Sequence, residues 1–321
     1  MRPCSGSAGV HDELCVCQAL HGPIVVPAYD ASLVTELELV QDARAGLGEG
    51  PVWDHRTGEL VWVDIMAGLV HRLDVMSGLD RPLTVGQPVG AVCLREAGGY
   101  AVALRDGVAV LAESGDLASI AGIESDIPEH RCNDGKCDAS GRLWVGTMRF
   151  DERPGGALYR VASDHSVSPM VTGLGLSNGL GWSLDGSAMY LIDSLAGGLD
   201  LFDFDESSGT LVGRRRLVSF DPREGFADGM TVDSEGFVWV ALYGGGAVRR
   251  YSPSGQLAEV IELPVSQATS CTFGGEGLQD LFITTATQRL SPARLAAQPG
   301  AGGVFRCRPG PTGLPANLFA G

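Results

Sequence analysis

The sequence lacks the features by which membrane, secreted and nucleic-acid-binding proteins are usually recognised. It has no uninterrupted apolar run near the ~18 residues that a bilayer-spanning helix needs. It also lacks a basic start followed by an apolar stretch, the pattern typical of a signal peptide, so we expect a cytoplasmic protein. Its formal net charge of -16 repels phosphate backbones and anionic bilayer surfaces. We therefore expect neither nucleic acid nor membrane partners.

The cysteines are not arranged as a disulfide framework. Eight cysteines at irregular spacings in a chain of 321 residues, without a secretion signal, are typical of reduced thiols. Cys132 and Cys137 resemble half of a zinc site, but no second Cys or His pair follows at finger-like spacing. The spacing therefore disfavours a thiolate metal centre.

What the sequence does contain is glycine, in a repeated strand pattern. The 46 glycines indicate many tight turns. A glycine-containing turn followed by a strand, in most copies aromatic, recurs six times at a spacing of about 40 residues, which is typical of four-stranded propeller blades. The copies are residues 58–64 (GELVWVD), 98–103 (GGYAVA), 141–146 (GRLWVG), 186–193 (GSAMYLID), 236–241 (GFVWVA) and 277–284 (GLQDLFIT).

This repeat predicts an all-β protein, a six-bladed β-propeller of four-stranded antiparallel blades. Apolar alternation of period two dominates, and one short helix is expected within residues 286–298. A ring of blades must close to remove its free sheet edge, and residues 36–40 (ELELV) are suited to pair with the last blade near residues 303–307 (GVFRC). We expect residues 1–33 to be a poorly ordered extension and residues 34–321 to form the propeller. A β-sandwich is the alternative, but the long repeat unit disfavours it.

Polar residues recur at one offset from the repeat glycines. Eight or nine residues before the turn glycine, four of the six repeats carry an oxygen-bearing side chain. These residues are Glu49, Asn133, Asn178 and Asp228. Because the innermost strand of each blade lines the central channel, equivalent positions form a ring at one face. The other two repeats have Gly90 or Ala91, and Thr269, at this position, which leaves one side open for a substrate.

Two carboxylates and two amide oxygens suit a hard divalent cation. Ca²⁺, Mg²⁺ and Mn²⁺ prefer such ligands, and Zn²⁺ or Fe²⁺ fit if water completes the coordination. Each residue also has a simpler interpretation, because Asn-Gly and Asp-Gly are frequent hairpin turns and Glu49 could be an exposed loop acid. The shared offset favours the site, since independent turn residues have no reason to keep one register.

Several motifs in order resemble the gluconolactonase, luciferin-regenerating enzyme and senescence-marker-protein (regucalcin) family. The resemblance covers residues 39–305. Its motifs are residues 48–53 (GEGPVW), 131–148 (RCNDGKCDASGRLWVGTM), 177–183 (SNGLGWS), 190–194 (YLIDS) and 226–241 (FADGMTVDSEGFVWVA). The closing stretch, residues 284–305, is similar to bacterial sugar-lactone hydrolases.

The resemblance implies a metal-dependent lactonase, a carboxylic ester hydrolase with one divalent metal ion. Glu49, Asn178 and Asp228 would hold the metal, and Arg131 and Asn133 would contact the hydroxyls of a sugar lactone. A family acid that touches substrate corresponds best to Asp151, although the adjacent Glu152 also fits. As a hypothesis, the metal polarises the lactone carbonyl or the attacking water, and Asp228 accepts the proton of that water.

Two rival functions use the same fold. The metal site could hydrolyse phosphotriesters or fluorophosphates, although the negative field and the Arg131 and Asn133 pair favour a neutral polyol. A propeller could also be a calcium-binding regulator without enzymatic activity. The sequence does not choose the metal, the lactone ring size or the oligomeric state.

Overall fold

The computed structural model describes residues 36–321 of the chain. The predicted extension, residues 1–33, lies outside the described residues, so its expected disorder stays a prediction. Within the described range, β-strands are grouped into six sheets, each built on four antiparallel strands. The predicted six-bladed β-propeller is confirmed.

The first three blades follow one another along the chain, and each begins with its innermost strand. Blade 1 consists of β2 (Gly48–Asp54), β3 (Glu59–Asp64), β4 (Leu69–Asp74), β5 (Leu79–Asp80) and β6 (Leu83–Thr84), the last two both pairing with β4. Blade 2 consists of β7 (Val89–Leu94), β8 (Tyr100–Leu104), β9 (Gly107–Leu111) and β10 (Leu117–Gly122). Blade 3 consists of β11 (His130–Cys137), β12 (Leu143–Arg149), β13 (Gly156–Val161) and β14 (Val167–Leu174).

The last three blades repeat this plan, and blade 6 takes its outer strand from the other end of the chain. Blade 4 consists of β15 (Ser177–Trp182), β16 (Ala188–Asp193), β17 (Gly198–Asp205) and β18 (Thr210–Ser219). Blade 5 consists of β19 (Phe226–Val232), β20 (Val238–Tyr243), β21 (Ala247–Tyr251) and β22 (Leu257–Glu262). Blade 6 consists of β23 (Ala268–Gly274), β24 (Asp280–Thr285), β25 (Val304–Cys307) and β1 (Glu38–Gln41).

The ring closes as the sequence predicts. Strand β1 pairs antiparallel with β25, with Leu39 opposite Phe305. The innermost strands contact each other in chain order, and β2 of blade 1 contacts β23 of blade 6. Blades 3 and 6 therefore lie on opposite sides of the central channel. We call the end at which the innermost strands begin the upper end, and the end at which they finish the lower end.

The repeat glycines occupy the turns that the pattern assigns to them. All six have positive φ, a conformation that disfavours residues with a Cβ atom; they are Gly58, Gly98, Gly141, Gly186, Gly236 and Gly277. The strands that follow them supply the core between blades, where Trp62, Trp144 and Trp239 are fully buried. These turns therefore fix the start of the second strand of each blade. The apolar side chains that follow them hold neighbouring blades together.

Helical structure is minor within residues 36–321. One α-helix, α1 (Pro292–Ala297), lies inside the range where a short helix was predicted; the Ser291 side chain accepts from the backbone N–H of Arg294 as its N-cap. Two 3-10 turns cover Pro222–Glu224 and Glu276–Leu278. In the described part of the chain, no helix is long and apolar enough to span a membrane.

The C-terminal segment, residues 308–321, crosses the lower end of the propeller. The Ser234 N–H of blade 5 donates to the Thr312 carbonyl (2.8 Å), whereas the Phe319 N–H donates to the Leu94 carbonyl of blade 2 (2.8 Å). Phe319 is fully buried among side chains of blades 2 and 3. The segment therefore runs beneath the channel from one side to the other, a feature that the repeat pattern does not predict.

Candidate metal centre

The four residues with the common offset lie at the upper end of four innermost strands. Glu49 is in β2, Asn133 in β11, Asn178 in β15 and Asp228 in β19, and all four are buried. Each strand is interrupted there by a β-bulge. The register shifts fall between Glu49 and Val52, Cys132 and Gly135, Ser177 and Leu180, and Ala227 and Met230. Asn133, Asn178 and Asp228 are unpaired within these bulges, whereas Glu49 is paired with Val63 and lies immediately before one. A bulge bends the strand and redirects its side chains locally, which explains why these four point into the channel.

The glycines that follow the site residues belong to these bulges. A Cβ atom at Gly179 would lie 2.7 Å from the Asp228 carbonyl oxygen, and one at Gly229 would collide with Ser270. Glycine is needed here because the innermost strand packs directly against the next one in the ring. The Asn-Gly and Asp-Gly pairs at these positions are therefore parts of strands, and their interpretation as hairpin turns is wrong.

The two amide side chains are joined in one hydrogen-bond network. Asn133 donates through Nδ2 to Asn178 Oδ1 (3.2 Å) and to the Ser177 carbonyl (3.0 Å). Asn178 donates through Nδ2 to Ser194 Oγ (3.0 Å), and Ser194 Oγ donates to the Ala227 carbonyl (2.6 Å). The network holds both amides in fixed orientations and ties three blades together at the upper end.

The two carboxyl groups contact each other in an environment that disfavours negative charge. Burial, the Asp228 charge and the Asp134 charge together hold the pKa of Glu49 well above its ordinary value. The pKa of Asp228 is raised in the same direction, chiefly by burial and then by Asp134. No ion pair within residues 36–321 includes either carboxylate, although Arg131 is close enough to lower the pKa of Asp228. A cation between the two carboxylates would relieve this repulsion.

Arg131 lies beside the ring and stays charged. Its Nη1 donates to Asn133 Oδ1 (2.7 Å) and to the Cys132 carbonyl (2.9 Å). Burial lowers its pKa to about 10, which leaves the guanidinium protonated at neutral pH. It therefore supplies a fixed positive charge at the wall of the site.

The acid of the blade 3 loop that faces the site is Glu152. Asp151 points away and accepts hydrogen bonds from Arg149 Nε (2.9 Å) and Arg153 Nε (2.8 Å). These two bonds lower the pKa of Asp151 well below its ordinary value. Of the two acids that the sequence leaves open for substrate contact, the geometry favours Glu152.

A cavity of about 120 Å³ lies directly above the ring. Glu49, Asn133, Asn178 and Asp228 line it together with Arg131 and Glu152. Apolar side chains form much of its remaining wall; they are Leu47, Ile65, Met148, Leu176, Leu195 and Phe226. No tryptophan lines this cavity; Trp62, Trp144 and Trp239 are fully buried in the core instead. The sequence analysis missed Tyr243, the last residue of β20, and Arg289, in the loop between β24 and β25, which also line the cavity. Neither stands at the offset from a repeat glycine that identified the ring residues.

The donor set fits a divalent cation. Within residues 36–321 no group of three or more His, Cys, Asp and Glu side chains is arranged to hold a metal, so the candidate site depends on amide as well as carboxylate oxygens. That mixture is typical of hard cations. Cys132 and Cys137 face the packing between blades 2 and 3 instead, and burial raises the pKa of Cys132 to about 12.

Comparison with known proteins agrees with this architecture. The chain is 39% identical to regucalcin from Gallus gallus over 295 residues, which cover 89% of this chain and 99% of that protein. A calcium-binding protein, regucalcin, from Agrobacterium tumefaciens has a structure with a TM-score of 0.84 and 29% identity, covering 88% of this chain and 96% of that one. A luciferin-regenerating enzyme has a TM-score of 0.83 and 30% identity, with 89% and 99% covered.

The family assignment follows from a match over most of the propeller. The family described as SMP-30/gluconolactonase/LRE-like matches residues 47–287, which contain the whole ring of site residues together with Arg131 and Glu152. This family includes gluconolactonases as well as regucalcin. The chain therefore belongs to the SMP-30/gluconolactonase/LRE-like family.

Proposed function

We propose that the protein is a metal-dependent lactonase that hydrolyses a sugar lactone to the aldonic acid. The observation that carries the proposal is the pair of buried carboxylates, Glu49 and Asp228, in contact with each other below a small cavity. Glu49, Asn178 and Asp228 would hold one divalent ion there, with Asn133 beside it. Such an ion, when bound, would polarise the lactone carbonyl and stabilise the negative charge that develops on it.

The other groups of the site would then have separate tasks. Arg131 and Asn133 would orient the ring hydroxyls, since both line the cavity and hold each other in place. Asp228 would accept a proton from water as the water oxygen bonds to the carbonyl carbon. The same proton would pass to the ring oxygen when the ring carbon–oxygen bond breaks, which gives the hydroxy acid.

The choice of substrate class rests on charge. The chain carries a net charge of -16, which disfavours anionic substrates, while the polar ring and Arg131 suit a neutral polyol. We accordingly propose a small sugar lactone as the partner, with neither nucleic acid nor a membrane, and a cytoplasmic location.

A second function is calcium binding without turnover, which the description of the Agrobacterium tumefaciens structure as a calcium-binding protein favours. Elemental analysis of the purified protein, followed by metal titration with lactone hydrolysis recorded by pH-stat, separates the two. We expect acid release that saturates with the metal. Stoichiometric metal binding without acid release from any aldonolactone would support the regulator, and turnover of phosphotriesters alone would support the organophosphate hydrolase.

A further inference from the structure

An ion pair crosses the mouth of the cavity above the candidate metal centre. The Arg289 guanidinium pairs with the Glu152 carboxylate, and both residues line the cavity. Glu152 lies in the loop between β12 and β13 of blade 3, whereas Arg289 lies in the loop between β24 and β25 of blade 6. Because these blades face each other across a six-membered ring, the pair bridges the mouth from one side to the other.

Both residues are held in conformations that their loops impose. Glu152 has a φ of 54° and Arg289 a φ of 63°, a left-handed region that is uncommon for residues other than glycine. Such a conformation persists only where the surroundings fix it. The Gln288 N–H donates to the Gly46 carbonyl (3.0 Å), and the Glu152 N–H donates to the Arg149 carbonyl (3.1 Å). Both loops are therefore anchored to the propeller next to the bridging side chains.

The bridge changes the size and the charge of the entrance. With the pair in place the cavity measures about 120 Å³, below the ~300–1,000 Å³ of common small-molecule pockets. Glu152 and Arg289 also neutralise each other, so that neither offers a free charge to an entering ligand. Arg289 keeps about half of its side-chain surface, 53%, exposed, and a pair this accessible to water opens readily.

We propose that Arg289 is a specificity-determining residue, whose bridge to Glu152 restricts the site to small, uncharged ring substrates. This inference rests on the proposed function and narrows its substrates to monosaccharide-sized lactones. A larger lactone can enter only after the bridge opens, and the part outside the ring then displaces Arg289 from Glu152. On this proposal a small neutral lactone has no part outside the ring that would displace Arg289.

The test compares kcat/KM for glucono-δ-lactone and for the lactone of a disaccharide acid, lactobionolactone. In Arg289→Ala we expect the ratio of disaccharide to monosaccharide turnover to rise about tenfold, the scale on which pocket shape discriminates. Arg289→Lys should keep the ratio near the wild-type value, since it retains the charge. Arg153→Ala is the matched control, because it removes an exposed cation from the same loop as Glu152 and leaves both residues of the bridge in place, with Asp151 still paired to Arg149. An unchanged ratio in Arg289→Ala would contradict the proposal.

Two further measurements separate the possible failures. If Arg289→Ala instead loses turnover of glucaro-1,4-lactone, which carries a carboxylate, while its other rates are unchanged, then Arg289 binds an anionic substrate and the proposal is wrong. A readout independent of turnover is the rate at which EDTA removes calcium from the loaded protein. We expect this rate to rise severalfold in Arg289→Ala and to stay unchanged in Arg153→Ala. If wild-type protein hydrolyses no lactone, the proposed function fails, and the EDTA rates still decide whether the bridge covers the site.

Discussion

The upper and lower ends of the channel use the same residue type for opposite purposes, as two acids of blade 5 illustrate. Asp233, just after β19 at the lower end, is fully buried and accepts hydrogen bonds from Trp239 Nε1 (2.9 Å), Arg250 Nε (2.8 Å) and two backbone N–H groups. Asp228, in the same strand at the upper end, has Glu49 and Asn178 as its hydrogen-bonding neighbours. A buried carboxylate that is surrounded by hydrogen-bond donors stabilises the fold. A buried carboxyl group beside another acid lacks a positive partner, and a bound cation can supply one.

Blade 3 repeats the contrast. At the lower end, Asp138 accepts from Trp144 Nε1 (2.8 Å) and Arg142 Nε (2.6 Å). At the upper end, Asn133 uses its amide to connect Arg131 with Asn178. The lower ends of these blades are therefore built from satisfied ion pairs, and their upper ends from groups that a ligand can still engage.

The largest effect is expected for Asp228→Ala. Removing this carboxylate deletes a metal ligand and the proposed base together, so we expect lactonase turnover to fall by at least ~10³, as for loss of a key electrostatic group. Metal affinity, measured by isothermal titration calorimetry, should be lost as well. Retained turnover in this variant would remove Asp228 from the mechanism.

Asp233→Asn is the matched variant at the lower end. It places an amide against donors that require an acceptor, and we expect a loss of about 3–5 kcal/mol in the free energy of unfolding, the scale for breaking a buried pair. Metal affinity of the folded protein should not change. If metal affinity instead falls as in Asp228→Ala, then the lower end also contributes to metal binding, and the contrast between the two ends is wrong.

The next effect concerns the segment that closes the lower end. Phe319 is fully buried, and Phe319→Ala should cost about 3–5 kcal/mol in the free energy of unfolding, as for other buried phenylalanines. Urea denaturation measures this loss. Leu314→Ala is the control, since Leu314 is 41% exposed on the same segment and should change stability by less than about 0.5 kcal/mol. Equal losses in both variants would show that the segment does not anchor the lower end through Phe319.

Prediction from the sequence succeeded for the regular, repeating parts of the fold and failed for the irregular parts. The repeat glycines fix six turns, so the blade count, the closure by residues 36–40 and the positions of Glu49, Asn133, Asn178 and Asp228 could all be read from spacing. The bulges could not, because Asn178–Gly179 and Asp228–Gly229 have the composition of hairpin turns. Only the contact of each glycine with the next innermost strand distinguishes a bulge from a turn.

Loops and the C-terminal segment carry no such periodic signal. Asp151 and Glu152 are adjacent acids with different partners, since Asp151 pairs with Arg149 and Arg153 whereas Glu152 pairs with Arg289. Their order in the sequence does not indicate which of them faces the cavity. The bridge from Glu152 to Arg289 connects residues that are far apart in the chain, and no repeat relates them. Nothing in the composition of residues 308–321 indicates that they cross beneath the channel.

The smallest expected effect is on the pH dependence of metal-free protein. The folded-state pKa values of Glu49 and Asp228 are raised by burial and by neighbouring acids, that of Asp228 to about 8. Acids with raised pKa values stabilise the fold when protonated, so this contribution is complete below the ordinary pKa of about 4 and is lost as pH rises toward 8. Because the two carboxyls can share one proton, we expect the melting temperature to fall by only a few degrees over that range.

Asp228→Asn makes this prediction specific to the upper end, because it removes the titrating group and leaves its shape. Metal-free wild type and variant should have melting temperatures that diverge as pH rises from 5 to 8, with the variant the more stable at pH 8. Other acids have lowered pKa values, such as Asp205, which accepts hydrogen bonds from Ser207 and Ser208. Their contribution to stability is lost as pH falls, and this loss is the same in wild type and variant. Added calcium should cancel the divergence by stabilising wild type alone. Parallel pH profiles in the absence of metal would mean that the Asp228 carboxylate is already neutralised by the protein, and the contrast with Asp233 would then have no electrostatic basis.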